Sequence, residues 1–121
     1  MATLLVNAGK AIVTNRIKGS GTEPLYVAWG TGAGTTGATD TTLFTETGTR
    51  TSGTSTQQTT SVTNDTYQVV GTMTAGGTLA ITNAGLFDAS TSGNLFVKGD
   101  FSTINLSSGD SIQFTIKTQF S

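Results

Sequence analysis

The chain has 121 residues, a formal net charge of −1 and neither cysteine nor histidine; 35% of its residues are hydrophobic and 11% are charged. This length fits one domain, which we expect to span residues 1–121, and is too short for two ordinary domains. The composition excludes disulfides and histidine-dependent catalysis, offers no thiolate or imidazole metal ligand, and argues against nucleic-acid binding because basic residues are few and scattered. Thr makes up more than a fifth of the residues, which favours strands with polar outer faces.

The first 18 residues predict an N-terminal helix or arm. Leu5, Ala8 and Ile12 lie about one helical turn apart, Thr3 is a candidate N-cap, and Gly19 is a candidate stop. A strand remains the alternative, because several residues of the segment are β-branched. The opening run is short and has no cationic start, so we expect neither a signal peptide nor a membrane anchor.

A glycine-rich turn follows the first clear strand, which is predicted at residues 25–29 after the only proline. Gly32, Gly34 and Gly37 have the Gly-x-Gly-x-x-Gly spacing of dinucleotide sites, but no helix pattern, parallel strand or suitably placed acidic residue accompanies them. The turn is therefore interpreted as a flexible loop. Residues 40–46 are predicted to form a short helical turn anchored by Leu43 and Phe44.

Residues 47–61 are almost wholly Thr, Ser, Gly and Gln. A structureless loop of this length is unusual in a compact domain, so we predict a polar edge strand or arm. It would pair with a strand at residues 67–73 through a turn at residues 63–66. Such a strand suits contact with a neighbouring subunit, since its own register is weakly specified.

Three further strands are predicted at residues 79–88, 94–101 and 110–120. In the last of them Ile112, Phe114, Ile116 and Phe120 share one face, which we expect to be buried, and polar residues occupy the other. In the middle strand we expect Lys98 and Asp100 to face outward. The predicted fold class is mainly β, an antiparallel β-sandwich of Greek-key or jelly-roll type with one N-terminal helix; a small barrel is the alternative.

No catalytic, cofactor-binding or metal-binding residues are predicted. The seven carboxylates show no spacing that forces two of them together, and most are expected in turns, where Asp bonds nearby backbone. An enzyme acting through a carboxylate pair is the least favoured hypothesis. Aromatic and arginine residues are enriched at protein interfaces, so the predicted contact residues are Tyr26, Trp29, Arg50 and Tyr67, with sugar stacking by Tyr26 or Trp29 as the alternative.

Short motifs distributed along the chain form a recognisable set. They are Asn7-Ala8-Gly9-Lys10-Ala11, Thr14-Asn15-Arg16, Tyr26-Val27-Ala28-Trp29-Gly30-Thr31-Gly32, Asp40-Thr41-Thr42-Leu43, Thr82-Asn83-Ala84-Gly85-Leu86-Phe87-Asp88, Asn94-Leu95-Phe96-Val97-Lys98, and residues 106–116. Through these motifs nearly the whole chain resembles small tailed-phage virion proteins. Many proteins of that kind carry an acidic residue where Asn83 stands in this chain.

The resemblance implies a non-enzymatic virion structural protein, made in the bacterial host cytoplasm. Our main hypothesis is a capsid decoration, or cement, protein: a homotrimer on the outer capsid surface that bridges major capsid subunits and stabilises the head, without nucleic-acid or membrane contact. The alternative is a tail-tip or tail-fibre component that binds a receptor or glycan. The expected contact elements are residues 2–18, the glycine-rich turn and residues 47–61.

Overall fold

The computed structural model describes residues 3–121, which form eight strands and one helix. In chain order these elements are β1 (Thr3–Leu5), α1 (Asn7–Lys18), β2 (Tyr26–Gly30), β3 (Glu46–Ser52), β4 (Thr54–Gln58), β5 (Thr66–Thr74), β6 (Leu79–Phe87), β7 (Leu95–Leu106) and β8 (Ser111–Gln119).

The strands form two antiparallel sheets. The larger has the order β1-β7-β6-β2-β3, and the smaller has the order β4-β5-β8. The chain crosses from one sheet to the other at Gly53, where any Cβ would collide with the Val69 side chain. The predicted fold class, a mainly β antiparallel sandwich with one N-terminal helix, is confirmed. Residues 46–58 supply one edge strand to each sheet, and β4 pairs with β5.

The main core lies between the two sheets. Trp29, Leu86 and Val97 from the larger sheet pack with Val69 and Met73 from the smaller one, and all five are buried. The partly buried residues that complete this core include Ile112, Phe114 and Ile116, as the alternation in the last strand predicts. Face-to-face packing of two sheets buries the apolar residues that occupy alternate positions along each strand.

Helix α1 begins later than predicted. Thr3 is not its N-cap, because residues 3–5 form a strand that pairs with β7, with Thr3 opposite Gly99. The N-cap is Val6, which makes no side-chain capping bond. The predicted stop is confirmed: Gly19 has φ of 95° and its N–H bonds the Arg16 carbonyl. Met1 and Ala2 lie outside the described residues, and Ala2 is the first residue of one predicted contact element.

Strand β8 joins a different sheet from its two predecessors. The sequence predicts three successive antiparallel strands, and all three exist, but only β6 and β7 pair with each other. β8 pairs along its whole length with β5. Its apolar face therefore covers the inner face of the larger sheet instead of extending that sheet.

Residues 31–45 cover the other face of the larger sheet. The predicted helical turn at residues 40–46 is wrong, since this segment has turns and bends and then enters β3 at Glu46. Leu43 nevertheless anchors it, because this side chain is buried in a second small core with Val6, Phe87 and Leu95. Both faces of the larger sheet are thus covered.

Candidate functional site

Lys98 is the most deeply buried charged residue of the described chain, with 1% of the residue exposed. Its ammonium donates to Asp40 Oδ2 and to the Thr42 carbonyl, both at 2.9 Å, and lies 3.3 Å from the centre of the Phe44 ring. The expectation that Lys98 faces solvent is wrong, because residues 31–45 fold over that face of β7. A buried ammonium needs such partners, since desolvation strongly disfavours an isolated charge.

Asp40 connects this loop to Lys98 through its carboxylate. It accepts hydrogen bonds from the Gly37 N–H and from Lys98, and these two interactions hold the pKa of the carboxyl below its usual range. Both bonds favour the ionised form. The pair therefore ties the glycine-rich turn to β7 of the larger sheet.

Asn83 fixes the same loop from β6. This side chain is fully buried, accepts the Phe44 N–H at 3.0 Å and donates to the Phe44 carbonyl at 3.1 Å. Further along the loop, the Thr36 N–H donates to Asp100 at 3.0 Å. Gly30 and Gly32 pass so close to Phe44 that a Cβ would collide with it. In the Gly-x-Gly-x-x-Gly spacing, Gly34 is likewise too close to Phe44 for a Cβ, whereas Gly37 has no close neighbour. Two of the three glycines therefore serve close packing within this loop.

The seven carboxylates are engaged separately. Four bond nearby backbone N–H groups in turns, as predicted: Asp40, Asp65, Asp88 and Asp110. Asp100 and Glu46 lie in strands instead, and Glu46 pairs with Arg50. Glu23 accepts a bond from Tyr67. Across residues 3–121, no group of three or more acidic side chains could hold a metal ion.

Tyr26 and Arg50 meet at Phe87 on the outer face of the larger sheet. Tyr26 is directly opposite Phe87 in the β2–β6 ladder, and the Arg50 guanidinium lies 3.6 Å from the centre of the Phe87 ring. Arg50 also pairs with Glu46 and donates to the carbonyls of Ala89 and Ser92. The guanidinium is thus largely committed to holding β3 against residues 88–93.

Trp29 and Tyr67 lie on the other side of this sheet. Trp29 is only 2% exposed and makes an edge contact with Phe114. Tyr67 packs edge-on against Phe96, and its hydroxyl oxygen lies 2.9 Å from both Glu23 Oε2 and the Pro24 carbonyl oxygen, so the single hydroxyl hydrogen is shared between these two acceptors. Burial, together with the Glu23 carboxylate, raises the pKa of Tyr67. The four predicted contact residues therefore form no single surface, and their role in contacts with other subunits stays a prediction.

An apolar groove between α1 and the end of the smaller sheet was not predicted. It encloses about 560 Å³, and Tyr67 and Phe96 line it. Two large apolar residues beside it are unusually accessible: Ile17 is 81% exposed and Phe120 is 42% exposed. The sequence contains one indication of this groove: Ile17 falls outside the apolar face of the helix that Leu5, Ala8 and Ile12 form. No helix within residues 3–121 is long and apolar enough to cross a membrane.

Comparison with known proteins gives one family. Residues 8–119 match the family model described as podophage GP4 fiber I protein gp80. The chain belongs to this fibre protein family. No curated protein matched the chain, and neither did any solved structure.

Membership of the fibre protein family supports the general role predicted from the sequence, that of a phage virion structural protein. The family description names a fibre and not a capsid decoration protein, so the alternative hypothesis is better supported than the main one. The family description, that of a fibre protein, also agrees with the expectation of a non-enzymatic role.

Proposed function

We propose that this protein is a non-enzymatic building block of a phage fibre. The observation that carries the proposal is the match to a fibre protein family over residues 8–119, almost the full chain. The fold is compatible with this role, because most buried polar groups serve to hold loops and sheets together. The polar side chains of Lys98, Asn83 and Arg50 all have partners within the fold.

A receptor-binding or glycan-binding role within the fibre would need an accessible recognition surface. Trp29 is a poor candidate, since its ring is buried, and Tyr26 is packed beside the small second core. We therefore favour a structural role in the fibre over direct sugar stacking by either residue. The major capsid protein as a partner and the homotrimer remain predictions.

Locating the chain in the particle tests the proposal. Gold-labelled antibodies against the purified protein should decorate fibres of the virion and leave the head surface bare. Labelling over the whole head, at a copy number matching the major capsid protein, would reject the fibre role and favour capsid decoration. A glycan array probed with the purified protein separates the two fibre roles, because binding to sugars would support recognition.

A further inference from the structure

We propose that the free edge of β8 is a docking surface for β8 of a second copy of this chain, with the two strands antiparallel about a twofold axis at Thr115. In the described residues β8 pairs only with β5, so its other edge is open over nine residues. The inference rests on strand geometry and does not require the fibre role.

The open edge presents a regular set of unpaired backbone groups. At the two ends of β8, Ala75 N–H donates to the Asp110 carbonyl and Phe120 N–H donates to the Asp65 carbonyl. The ladder between these bonds has no register shift. Because hydrogen bonding alternates along an antiparallel strand, even-numbered residues bond β5. The N–H and C=O groups of the odd-numbered residues point to the open edge.

A twofold axis at Thr115 gives every outward-pointing N–H and C=O group of β8 a partner in the second copy. It places Thr115 opposite Thr115, Gln113 opposite Lys117, and Ser111 opposite Gln119, so that every odd-numbered residue of β8 meets another. A twofold contact is self-complementary by definition. The pairing also keeps apolar residues together, because Phe114 falls opposite Ile116 on the inner face.

Charge and sequence favour this partner. The only charged residue of β8 is Lys117, and the pairing sets it opposite neutral Gln113, which avoids a like-charge pair. Edge strands are commonly protected by proline, bulges or charged side chains, especially lysine. β8 has no proline, no bulge and one lysine.

The inner side of the same edge is incompletely filled. A cleft of about 310 Å³ lies between β8 and the β1–β7 side of the larger sheet, and Val97, Phe101, Phe114 and Ile116 line it. Three of these four are only partly buried, the exception being Val97. The second copy would bring its own Phe114 and Ile116 beside this cleft, which adds apolar burial to the backbone bonds.

A single cysteine tests the geometry directly. The chain has no cysteine, so Thr115→Cys can form only a disulfide between copies. The two Thr115 residues would form a hydrogen-bonded antiparallel pair, in which the Cα atoms are about 5.5 Å apart, and this separation is within disulfide range. Under mild oxidation Thr115→Cys should cross-link at least tenfold faster than the matched control Thr56→Cys. Thr56 is exposed on β4, at the opposite edge of the same sheet.

Opposite charges test the twofold axis in solution. Sedimentation velocity on the full chain should show a concentration-dependent dimer. Thr115→Lys and Thr115→Asp should each raise its dissociation constant about fivefold or more, because each places like charges opposite each other. An equimolar mixture of the two variants should restore dimer formation. Thr56→Lys and Thr56→Asp are the controls and should leave it unchanged.

Two results would overturn the inference. One is a wild-type chain that stays monomeric at every concentration while Thr115→Cys cross-links no faster than Thr56→Cys. The other is an assembly, such as a trimer, that is unaffected by either charge at Thr115. Far-ultraviolet circular dichroism of each variant separates loss of association from loss of folding.

Discussion

At the scale of single residues, the contact between Lys98 and Asp40 is unequal in burial. The Lys98 side chain is 1% exposed, whereas the Asp40 side chain is 24% exposed. Removing the carboxylate leaves a positive charge inside the protein, but removing the ammonium leaves a negative charge that water can reach. Loss of the Asp40 carboxylate should therefore lower the free energy of unfolding more than loss of the Lys98 ammonium does.

We predict that Asp40→Asn lowers the free energy of unfolding by about 3 kcal/mol, because it leaves the buried Lys98 without a counter-charge. Lys98→Met should lower the free energy of unfolding by less, about 1 kcal/mol, because Met keeps much of the volume of the aliphatic part of the lysine side chain and removes the buried charge. Urea denaturation at neutral pH measures both variants. Equal losses, or a larger loss for Lys98→Met, would contradict the argument.

Turn-forming Asp residues could be predicted from the sequence and Lys98 could not. Asp65 and Asp110 bond backbone groups within a few residues, so local sequence suffices. Lys98 alternates with apolar residues in the pattern of an outward side chain. Its burial depends on residues 40–44, more than fifty positions earlier, folding across the strand.

At the scale of elements, α1 is fixed by its contact with β7. Gly9 is buried in this contact, and a Cβ at that position would collide with the carbonyl oxygen of Phe96 and approach the Leu5 side chain to 2.8 Å. The helix is therefore held at the distance that a residue without a side chain permits. The sequence shows Gly9 only as an interruption of a helix pattern.

Gly9→Ala should consequently destabilise the protein by about 2 kcal/mol through overpacking, although Ala favours a helix by about 1 kcal/mol over Gly. Thr14→Ala is the matched control, because Thr14 is exposed on the same helix; it should be neutral or slightly stabilising. Thermal unfolding of both variants gives the comparison. A stabilised Gly9→Ala protein would show that the helix can move away from β7.

The connection between β4 and β5 depends on Asp65. Its carboxylate accepts the N–H groups of Val62, Thr60 and Ser61, and these bonds lower its pKa. A carboxyl with a lower pKa in the folded than in the unfolded state stabilises the fold above its unfolded value, about 3.9. That stabilisation is lost as the pH falls through the lower, folded-state value.

Asp65→Asn should therefore weaken the acid dependence of stability. The variant should have a lower unfolding temperature than the wild type at neutral pH, and the difference should shrink as the pH falls below about 4. Unfolding temperatures measured in a pH series provide the test. A difference that is constant over the whole series would mean that the carboxylate's ionisation does not stabilise this connection.

The partner of β8 illustrates what strand patterns leave undetermined. Alternation identifies which face of residues 111–119 is buried, and that prediction is confirmed for Ile112, Phe114 and Ile116. It is wrong for Phe120, which lies beyond the end of β8 and is 42% exposed. The same pattern fits a strand in either sheet. The choice of β5 depends on long-range pairing, which a single strand's periodicity does not contain.

At the scale of the whole molecule, one core joins both sheets. Trp29 from β2 and Val69 from β5 belong to the same buried cluster, and Phe114 from β8 packs against Trp29. The sheets cannot separate without exposing this cluster to water. That the chain is one domain remains our proposal.

A main core shared by both sheets predicts one cooperative unfolding transition. Trp29 fluorescence, which reports the core, and far-ultraviolet circular dichroism, which reports the strands, should give the same midpoint in urea. Val69→Ala in the smaller sheet and Leu86→Ala in the larger sheet should each cost about 2 kcal/mol or more, and each should shift both signals together. If Val69→Ala lowered the midpoint of one signal alone, the two sheets would be separate folding units, because a shared core transmits the loss of packing to both.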